Sequence, residues 1–294
     1  MSVTVDQIAL NQWIVCAWMG QVALGARRDT VVLGQRIRLT CLVDGALACH
    51  ELAADGSAGR QLPLIQRYEM VFTTLGAEPR PLPEIAEFTE SDRKIVNCGS
   101  VGVNTSPYRI IENFLDMAHL CFVHTDVLGS LDNTEVYSYK TEHRTGLDEV
   151  WATDCAFFQP AASKAAAVSG GGQLTHYKYR VMSPFSVMLY KNVYDEPDRD
   201  DAICVFIQPL GETQCFAYMT MAIVDANSTV GELIDFQQTI FLQDRVILEN
   251  QRPALLPLAT SAEIPTRADL SSIAFRRWLK ATGIRFGILR AEAA

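Results

Sequence analysis

The sequence predicts an α+β protein made of a smaller β-rich part and a larger antiparallel sheet accompanied by a few helices. Three observations in the 294 residues support this fold class. Short apolar runs alternate with turn signals up to about residue 75, a proline-rich segment follows, and a second series of apolar runs lies between two helical patterns. Strands that follow one another without intervening helices favour antiparallel sheets over a doubly wound parallel sheet.

The first part, from residue 11 to about residue 75, is predicted to be a meander of strands. Its apolar runs are interrupted by turn dipeptides such as Asp44–Gly45 and Asp55–Gly56, which are typical of hairpins. The segment that follows contains three prolines, at positions 79, 81 and 83, and proline does not continue a central strand or a helix. We therefore expect one domain over residues 1–95 and a second over residues 96–294.

The second part begins with one predicted helix over residues 106–124, where apolar side chains recur near helical spacing. Strand-like runs between residues 134 and 224 then predict an antiparallel sheet. A long amphipathic helix is predicted from Val230 to Asn250. A last helix is predicted from Leu270 to Ala281, with Asp269 as its N-cap.

Composition excludes several classes of partner. The chain has 25 Lys and Arg against 34 Asp and Glu, a net charge of −9, so it lacks the basic excess that nucleic-acid binding requires. It has no apolar run long enough to span a membrane and no signal-peptide pattern at its start. The acidic run 195–201 is interpreted as a solvated hairpin tip, and residues 160–173 as an insertion. We expect a cytoplasmic protein whose eight scattered cysteines are buried free thiols.

Two of the five histidines, His119 and His124, are the first candidate metal ligands. On an ideal helix, a separation of five positions turns the two rings about 140° apart. Both can bind one metal only if the helix ends or loosens between them. Judged on the residues alone, two structural histidines near a helix end are the more common arrangement, so both interpretations stay open at this point.

The pattern N-x-x-D-x-x-H-x4-H over residues 113–124, followed by Asp244 in the long predicted helix, resembles the catalytic domain of Rieske non-haem iron oxygenases. The resemblance implies an Fe(II) held by His119, His124 and Asp244, the two-histidine, one-carboxylate set that leaves positions open for O2. It also implies roles for two further residues of the pattern. Asp116 would link the iron site to a neighbouring iron–sulfur cluster, and Asn113 would lie beside the iron.

The resemblance further implies a degenerate Rieske-like β domain followed by a helix-grip catalytic domain, an antiparallel sheet wrapped on a long helix. A Rieske [2Fe–2S] centre needs two cysteines and two histidines, normally as Cys-x-His and Cys-x-x-His. Between residues 39 and 62 this chain has only Cys41, Cys49 and His50. We therefore expect no [2Fe–2S] cluster of its own. NADH-derived electrons would come from a Rieske-containing reductase or oxygenase subunit, which implies a hetero-oligomer.

The missing cluster and the core motif together are similar to the methylxanthine N-demethylases of this family. That likeness implies O2-dependent removal of the N7-methyl group of a purine, 7-methylxanthine, with release of formaldehyde. On the long predicted helix Phe241, Ile240 and Gln237 share the face of Asp244. We expect Phe241 to stack on the purine and Gln237 to pair with its polar atoms, whereas a core aromatic and a surface amide are the alternative.

Three other functions stay open from the sequence. Vanillate-type O-demethylases, or enzymes that hydroxylate the ring of an aromatic acid, share the same core motif. A sheet wrapped on a helix can also bind a ligand without catalysis, because fold does not determine function. Lastly, the chain could be a structural subunit that only assembles an active complex.

Overall fold

The structure, a computed structural model, describes residues 3–160, 172–193, 198–225, 227–259 and 262–290. The helices are α1 (Gln7–Leu10), α2 (Pro107–Leu115), α3 (Leu120–Val123), α4 (Val230–Asn250) and α5 (Leu270–Thr282). The strands are β1 (Ile14–Trp18), β2 (Arg27–Val32), β3 (Gln35–Cys41), β4 (Leu47–Leu52), β5 (Ala58–Leu62), β6 (Leu64–Arg67), β7 (Met70–Thr73), β8 (Lys94–Val103), β9 (Lys140–Arg144), β10 (Glu149–Gln159), β11 (Gln173–Ser183), β12 (Ser186–Asn192), β13 (Asp200–Gly211), β14 (Gln214–Ile223), β15 (Leu256–Pro257) and β16 (Ile288–Leu289).

The first seven strands form two small antiparallel sheets, with orders β2-β3-β4-β5 and β1-β7-β6. The predicted series of strands is confirmed, and β2 to β5 form a meander, but β1 pairs with β7 and not with its neighbour β2. Gly45 and Gly56 adopt the positive φ angles of the predicted turns. Strand β5 is absent from the predicted pattern because four of its five residues are exposed. It therefore lacks the apolar alternation by which strands are recognised.

The proline-rich segment after β7 contains a short 3-10 helix, Ala86–Thr89, before β8 begins at Lys94. The small sheets pack on one face of the following large sheet, where Phe72 of β7 contacts Phe206 of β13 edge to face, with ring centroids 5.0 Å apart. The domain division at residue 95 stays a prediction.

The large sheet has seven antiparallel strands in the order β8-β14-β13-β12-β11-β10-β9. This confirms the predicted antiparallel sheet. Alternate residues belong to different hydrophobic clusters: Val205 faces the cluster that includes Phe241 of α4, whereas Cys204 and Phe206 face the small sheets. We call the face toward α4 the inner face, because the candidate metal ligands lie on that side.

The long helix and the last helix confirm their predictions. Helix α4 begins with a capping box in which Thr229 and Glu232 satisfy each other's backbone N–H groups. Asp269 is the N-cap of α5, but its carboxylate makes no capping bond there. It accepts hydrogen bonds from the backbone and side chain of Thr266 instead, because it also closes the preceding 3-10 turn.

The prediction of a single helix over residues 106–124 is wrong. Helix α2 ends at Leu115, and Asp116 adopts an extended conformation with ψ 129° before α3 begins. The Asp116 carboxylate accepts hydrogen bonds from the backbone N–H groups of Ala118 and His119, at 2.8 and 3.2 Å. Such local side-chain bonds offer the backbone an alternative to the helix, which explains the break.

Two expectations based on composition can also be compared with the fold. All eight cysteines are buried and unpaired, as predicted. Among the described residues, no helix is both long and apolar enough to cross a bilayer. Residues 161–171 and 194–197, which include most of the predicted insertion and the first part of the predicted hairpin tip, lie outside the described residues.

Candidate metal centre

The break between α2 and α3 determines how the two histidines are presented. His119 is the N-cap of α3 and His124 is its C-cap, the latter with non-helical angles of φ −114° and ψ 39°. The rings therefore do not diverge as they would on a continuous helix. Their centroids lie 5.1 Å apart at an interplanar angle of 71°. The backbone therefore departs from a continuous helix at His124, which is the condition for both histidines to bind one metal.

Asp244 of α4 completes the group. Its Oδ1 lies 3.3 Å from His119 Nε2 and 3.0 Å from His124 Nε2. The three ligand atoms all lie within 4.8 Å of one another, the spacing of a metal site. A chain segment of more than a hundred residues separates the histidines from the carboxylate, so packing of α4 on the sheet brings them together.

The Nδ1 atom of each imidazole faces a hydrogen-bond acceptor. His119 Nδ1 lies 3.2 Å from Asp116 Oδ2, and His124 Nδ1 lies 2.7 Å from Gln243 Oε1. Because each Nδ1 faces an acceptor, each Nε2 of a neutral ring presents its lone pair toward Asp244. No role for Gln243 is predicted from the sequence. The sequence feature that could have indicated such a role is its position directly before Asp244, the candidate carboxylate ligand.

The interior of the triad fits a bound cation. His124 is only 1% exposed, and its Nε2 has no hydrogen-bond partner even though a carboxylate oxygen lies 3.0 Å away. Two imidazole nitrogens and one carboxylate oxygen with open positions form the donor set of non-haem Fe(II). The residues present therefore fit the iron that the family resemblance implies.

The histidines and carboxylates of the site shift one another's pKa values. Burial lowers the pKa of His119, but Asp116 and Asp244 outweigh it and raise that pKa to about 9. Burial raises the pKa of Asp244, but the two histidines outweigh this effect and hold it below its ordinary value. Asn113 of α2 donates to the same Asp244 oxygen over 3.4 Å. The site thus stabilises an ionised carboxylate facing a positive charge.

A cavity of about 540 Å³ extends to His119 of the candidate metal site. Among the described residues, its lining includes Asn113, Asp116 and His119 but neither His124 nor Asp244. The cavity therefore borders the site at Asp116, whose side chain is 26% exposed. Its wall is charged: Arg109 and Arg276 pair there with Glu112 and Glu263.

Two of the three predicted substrate residues, Gln237 and Phe241, lie toward the sheet. Phe241 and Ile240 are 5% and 8% exposed, and Phe241 belongs to the core cluster of the inner face. The Gln237 amide is partly buried and lies 3.8 Å from Met219 Sδ on β14, a weak acceptor. Among the described residues, none of the three lines the 540 Å³ cavity.

Comparison with known proteins gives several matches. The family described as "Vanillate O-demethylase oxygenase C-terminal domain" matches residues 103–283. A Pseudomonas sp. (strain TJI-51) protein named "Probable methylxanthine N7-demethylase NdmC" is 39% identical over 285 residues, which cover 97% of this chain and 98% of that protein. Methylxanthine N3-demethylase NdmB of Pseudomonas putida is 23% identical over 216 residues, 73% of this chain and 58% of that protein. The structure of Pseudomonas putida CBB5 NdmA with caffeine is similar in fold, with a TM-score of 0.73, 16% identity and coverage of 92% of this chain and 90% of that one.

Proposed function

Because this chain belongs to the Rieske non-haem iron oxygenases, we propose that it removes the N7-methyl group of a methylxanthine, with 7-methylxanthine as the favoured substrate. The single observation that carries an oxidative function is the convergence of His119, His124 and Asp244 around an unpartnered, buried nitrogen. The choice of substrate is supported by the 39% identity to the protein named as an N7-demethylase.

In this proposal, His119, His124 and Asp244 hold the iron, which supplies O2 activation when bound. Asp116 and Gln243 fix the ring orientations through the two Nδ1 atoms. Asn113 steadies the carboxylate oxygen that faces both histidines. These contacts hold the side chains whose ligand atoms lie within 4.8 Å of one another.

The substrate would lie between α4 and the inner face of the sheet. We assign Phe241 to stacking on the purine, Gln237 to hydrogen bonding with it, and Ile240 to the apolar wall beside Asp244. Their task is to exclude water and to point one N-methyl group toward the metal. Hydroxylation of that methyl carbon leaves a carbinolamine, which breaks down to the free N–H and formaldehyde.

We propose that the chain carries no [2Fe–2S] cluster. Cys49 and His50 are neighbours on β4, where Cys49 pairs with Leu39 and His50 pairs with Arg38. Adjacent residues of a strand point to opposite faces, so these two side chains do not converge on one iron. The turns at either end of β4 are the tight Asp44–Gly45 and Asp55–Gly56 turns.

A chain without its own cluster needs an external electron donor. We propose a Rieske-containing partner supplied by NADH, in a hetero-oligomer that forms in the cytoplasm. The 540 Å³ cavity supports an approach from the side of Asp116, because its lining reaches that carboxylate and the back of His119. We also propose the division into a degenerate Rieske-like domain, residues 1–95, and a catalytic domain, residues 96–294.

O-demethylation of an aromatic acid is the second candidate, because the matching family is described by vanillate O-demethylase. The two candidate functions require different polar groups in the substrate pocket. A methoxybenzoate needs a cationic partner for its carboxylate, whereas a xanthine needs hydrogen-bond partners for its ring amides.

The test is the purified chain assayed with NADH, O2 and a Rieske-bearing reductase, with formaldehyde and demethylated product measured for 7-methylxanthine and for vanillate. We expect about one iron per chain, no acid-labile sulfide, and formaldehyde from 7-methylxanthine only when the partner is present. Sulfide at about two equivalents per chain would contradict the absence of a cluster. Vanillate turnover without xanthine turnover would contradict the proposed substrate.

A further inference from the structure

Part of the wall of the 540 Å³ cavity is a closed network of charges. Glu263 accepts hydrogen bonds from both Arg109 and Arg276. Glu112 pairs with the same two arginines. Two positive and two negative charges therefore offset one another, and this part of the wall is held in place by its own ion pairs.

A second group of cations lines the same cavity without carboxylate partners. These residues are Arg252, Arg277 and Lys280, all of them exposed. The Arg252 guanidinium donates to backbone carbonyls at the end of α4, and within the described part of the chain none of the three makes an ion pair. The remaining acids of the lining, Asp116 and Asp269, accept hydrogen bonds from nearby backbone N–H groups. A chain with a net charge of −9 thus presents three unpaired cations at one cavity.

Apolar side chains lie in the same wall. Ile264 is 95% exposed and Ile247 of α4 is 45% exposed, and both line the cavity. Ile264 directly follows Glu263, whose ion pairs anchor the backbone at this exposed side chain. An anchored side chain loses less freedom on binding, and exposed apolar groups rimmed by polar ones mark interaction surfaces. We call these two isoleucines and the three unpaired cations the cavity mouth.

The cavity mouth lies close to the candidate iron site. His119 lines the same cavity and its side chain is 14% exposed, while the Asp116 side chain is 26% exposed. Electron transfer slows steeply as the distance between two redox centres grows. A redox protein that covers the cavity mouth therefore has a short path to a candidate iron ligand.

The charge of the cavity mouth indicates which kind of protein fits it. Opposite charges across an interface speed association and like charges oppose it, so the three cations favour an acidic surface. A symmetric contact with a second copy of this chain would place the same patch against itself, cation against cation. Because the proposed function requires an external electron donor, a donor protein with an acidic docking face is the occupant that fits.

We propose that the cavity mouth is the docking surface for the Rieske-bearing electron donor. The donor places acidic side chains against Arg252, Arg277 and Lys280, around an apolar contact with Ile264 and Ile247. This inference rests on the proposed function, and it adds the residues that bind the donor and the chemistry of the donor's surface.

The test measures binding of the iron-loaded chain to the purified Rieske-bearing reductase, by biolayer interferometry without substrate at several NaCl concentrations. We expect Arg277→Glu and Ile264→Ser each to weaken binding by about tenfold or more. Wild-type binding should weaken as the salt concentration rises, and Arg277→Glu should reduce this dependence. At saturating reductase, the rate of formaldehyde release should stay close to that of wild type.

Two control variants make the same chemical changes elsewhere. Arg36→Glu alters an exposed cation of β3, and Val43→Ser alters an apolar side chain that is 87% exposed. Neither residue lines the cavity, so both variants should bind the reductase like wild type. Unchanged binding in Arg277→Glu and Ile264→Ser would overturn the docking surface, and so would equal losses in the two controls.

Sedimentation of the chain without reductase distinguishes the donor from a second copy. Self-association that Ile264→Ser abolishes, together with unchanged reductase binding, would assign the cavity mouth to a second copy and refute the inference. The proposed function fails separately. Reductase binding that depends on Arg277 and Ile264, without formaldehyde release from 7-methylxanthine, would support the docking surface while contradicting the proposed substrate.

Discussion

At the scale of single residues, the Asp116 carboxylate combines a backbone role with a role in the site. Its carboxylate accepts two backbone N–H groups and thereby ends α2, and the same group faces His119 Nδ1 at 3.2 Å. Its side chain is 26% exposed and lies on the wall of the 540 Å³ cavity. One carboxylate therefore shapes the backbone, orients a candidate ligand and faces the side from which a donor would approach.

We expect Asp116→Asn to keep iron while losing turnover with the partner by about 10- to 100-fold. Asparagine retains one acceptor oxygen for the His119 ring but loses the charge at the cavity wall. The measurement is formaldehyde release at matched iron content. Asp132→Asn, in an exposed part of the chain, is the control. Near-normal turnover of the iron-loaded Asp116→Asn chain would remove Asp116 from the electron route.

At the scale of elements, α3 is the short helix that presents both histidines, and Gly129 holds it in place. A Cβ at position 129 would lie 2.5 Å from both Cα and N of Cys121. That backbone approach is closer than any real side chain allows. Gly129 thus lets the following turn pack directly on α3, with Asp126 N donating to Gly129 O at 2.8 Å.

We expect Gly129→Ala to displace α3 and lower the free energy of unfolding by about 1–3 kcal/mol. Because His124 ends this helix, iron affinity should fall by at least about tenfold. Urea unfolding and iron titration measure the two effects. Gly231→Ala is the control, since nothing lies within 4 Å of a Cβ there, and it should be neutral or slightly stabilising in α4. Normal iron affinity in Gly129→Ala would show that the close approach does not position the histidines.

At the scale of the whole molecule, Asp148 in the turn between β9 and β10 joins three distant parts of the chain. Its carboxylate accepts hydrogen bonds from Trp278 of α5, at 2.9 Å, and from Arg80 of the proline-rich segment. His143 of β9 contacts it as well, at 2.9 Å. Burial would raise the pKa of Asp148, but these partners outweigh it and lower the pKa to about 2.

The sign of the pH effect follows from that shift. A carboxylate with a depressed pKa stabilises the fold fully above its ordinary pKa of 3.8, and this contribution is lost as the pH falls toward about 2. We expect Asp148→Asn to cost about 1–2 kcal/mol near neutral pH, discounted for partial exposure of the side chain. Urea unfolding across the acid range should show the difference from wild type shrinking between about pH 4 and pH 2. A difference that does not depend on pH would mean that Asp148 acts through packing instead of charge.

Much of the molecule is determined by signals that are local in the sequence. The bounds of α4 match the prediction because a capping box, helical periodicity and a following proline all lie within or beside that segment. The order of β10 to β14 in the large sheet follows from consecutive apolar runs separated by turns, whereas the pairing of β8 with β14 joins segments far apart in the sequence. The hairpin turns of the first part follow from Asp44–Gly45 and Asp55–Gly56. The candidate ligands could be named because the motif spacing resembles a known family.

Other features of the site depend on tertiary structure and cannot be predicted from short stretches of sequence. The helix breaks at Asp116 because its carboxylate accepts hydrogen bonds from two nearby backbone N–H groups. These bonds compete with the backbone hydrogen bonds of a continued helix, and the spacing of apolar residues gives no sign of that competition. The approach of Asp244 to the histidines, and of Gln243 to His124, requires packing of elements far apart in the chain. Secondary-structure propensity and the spacing of apolar residues act over a few residues. The burial of polar groups and the meeting of side chains from distant segments arise only when the whole chain is packed.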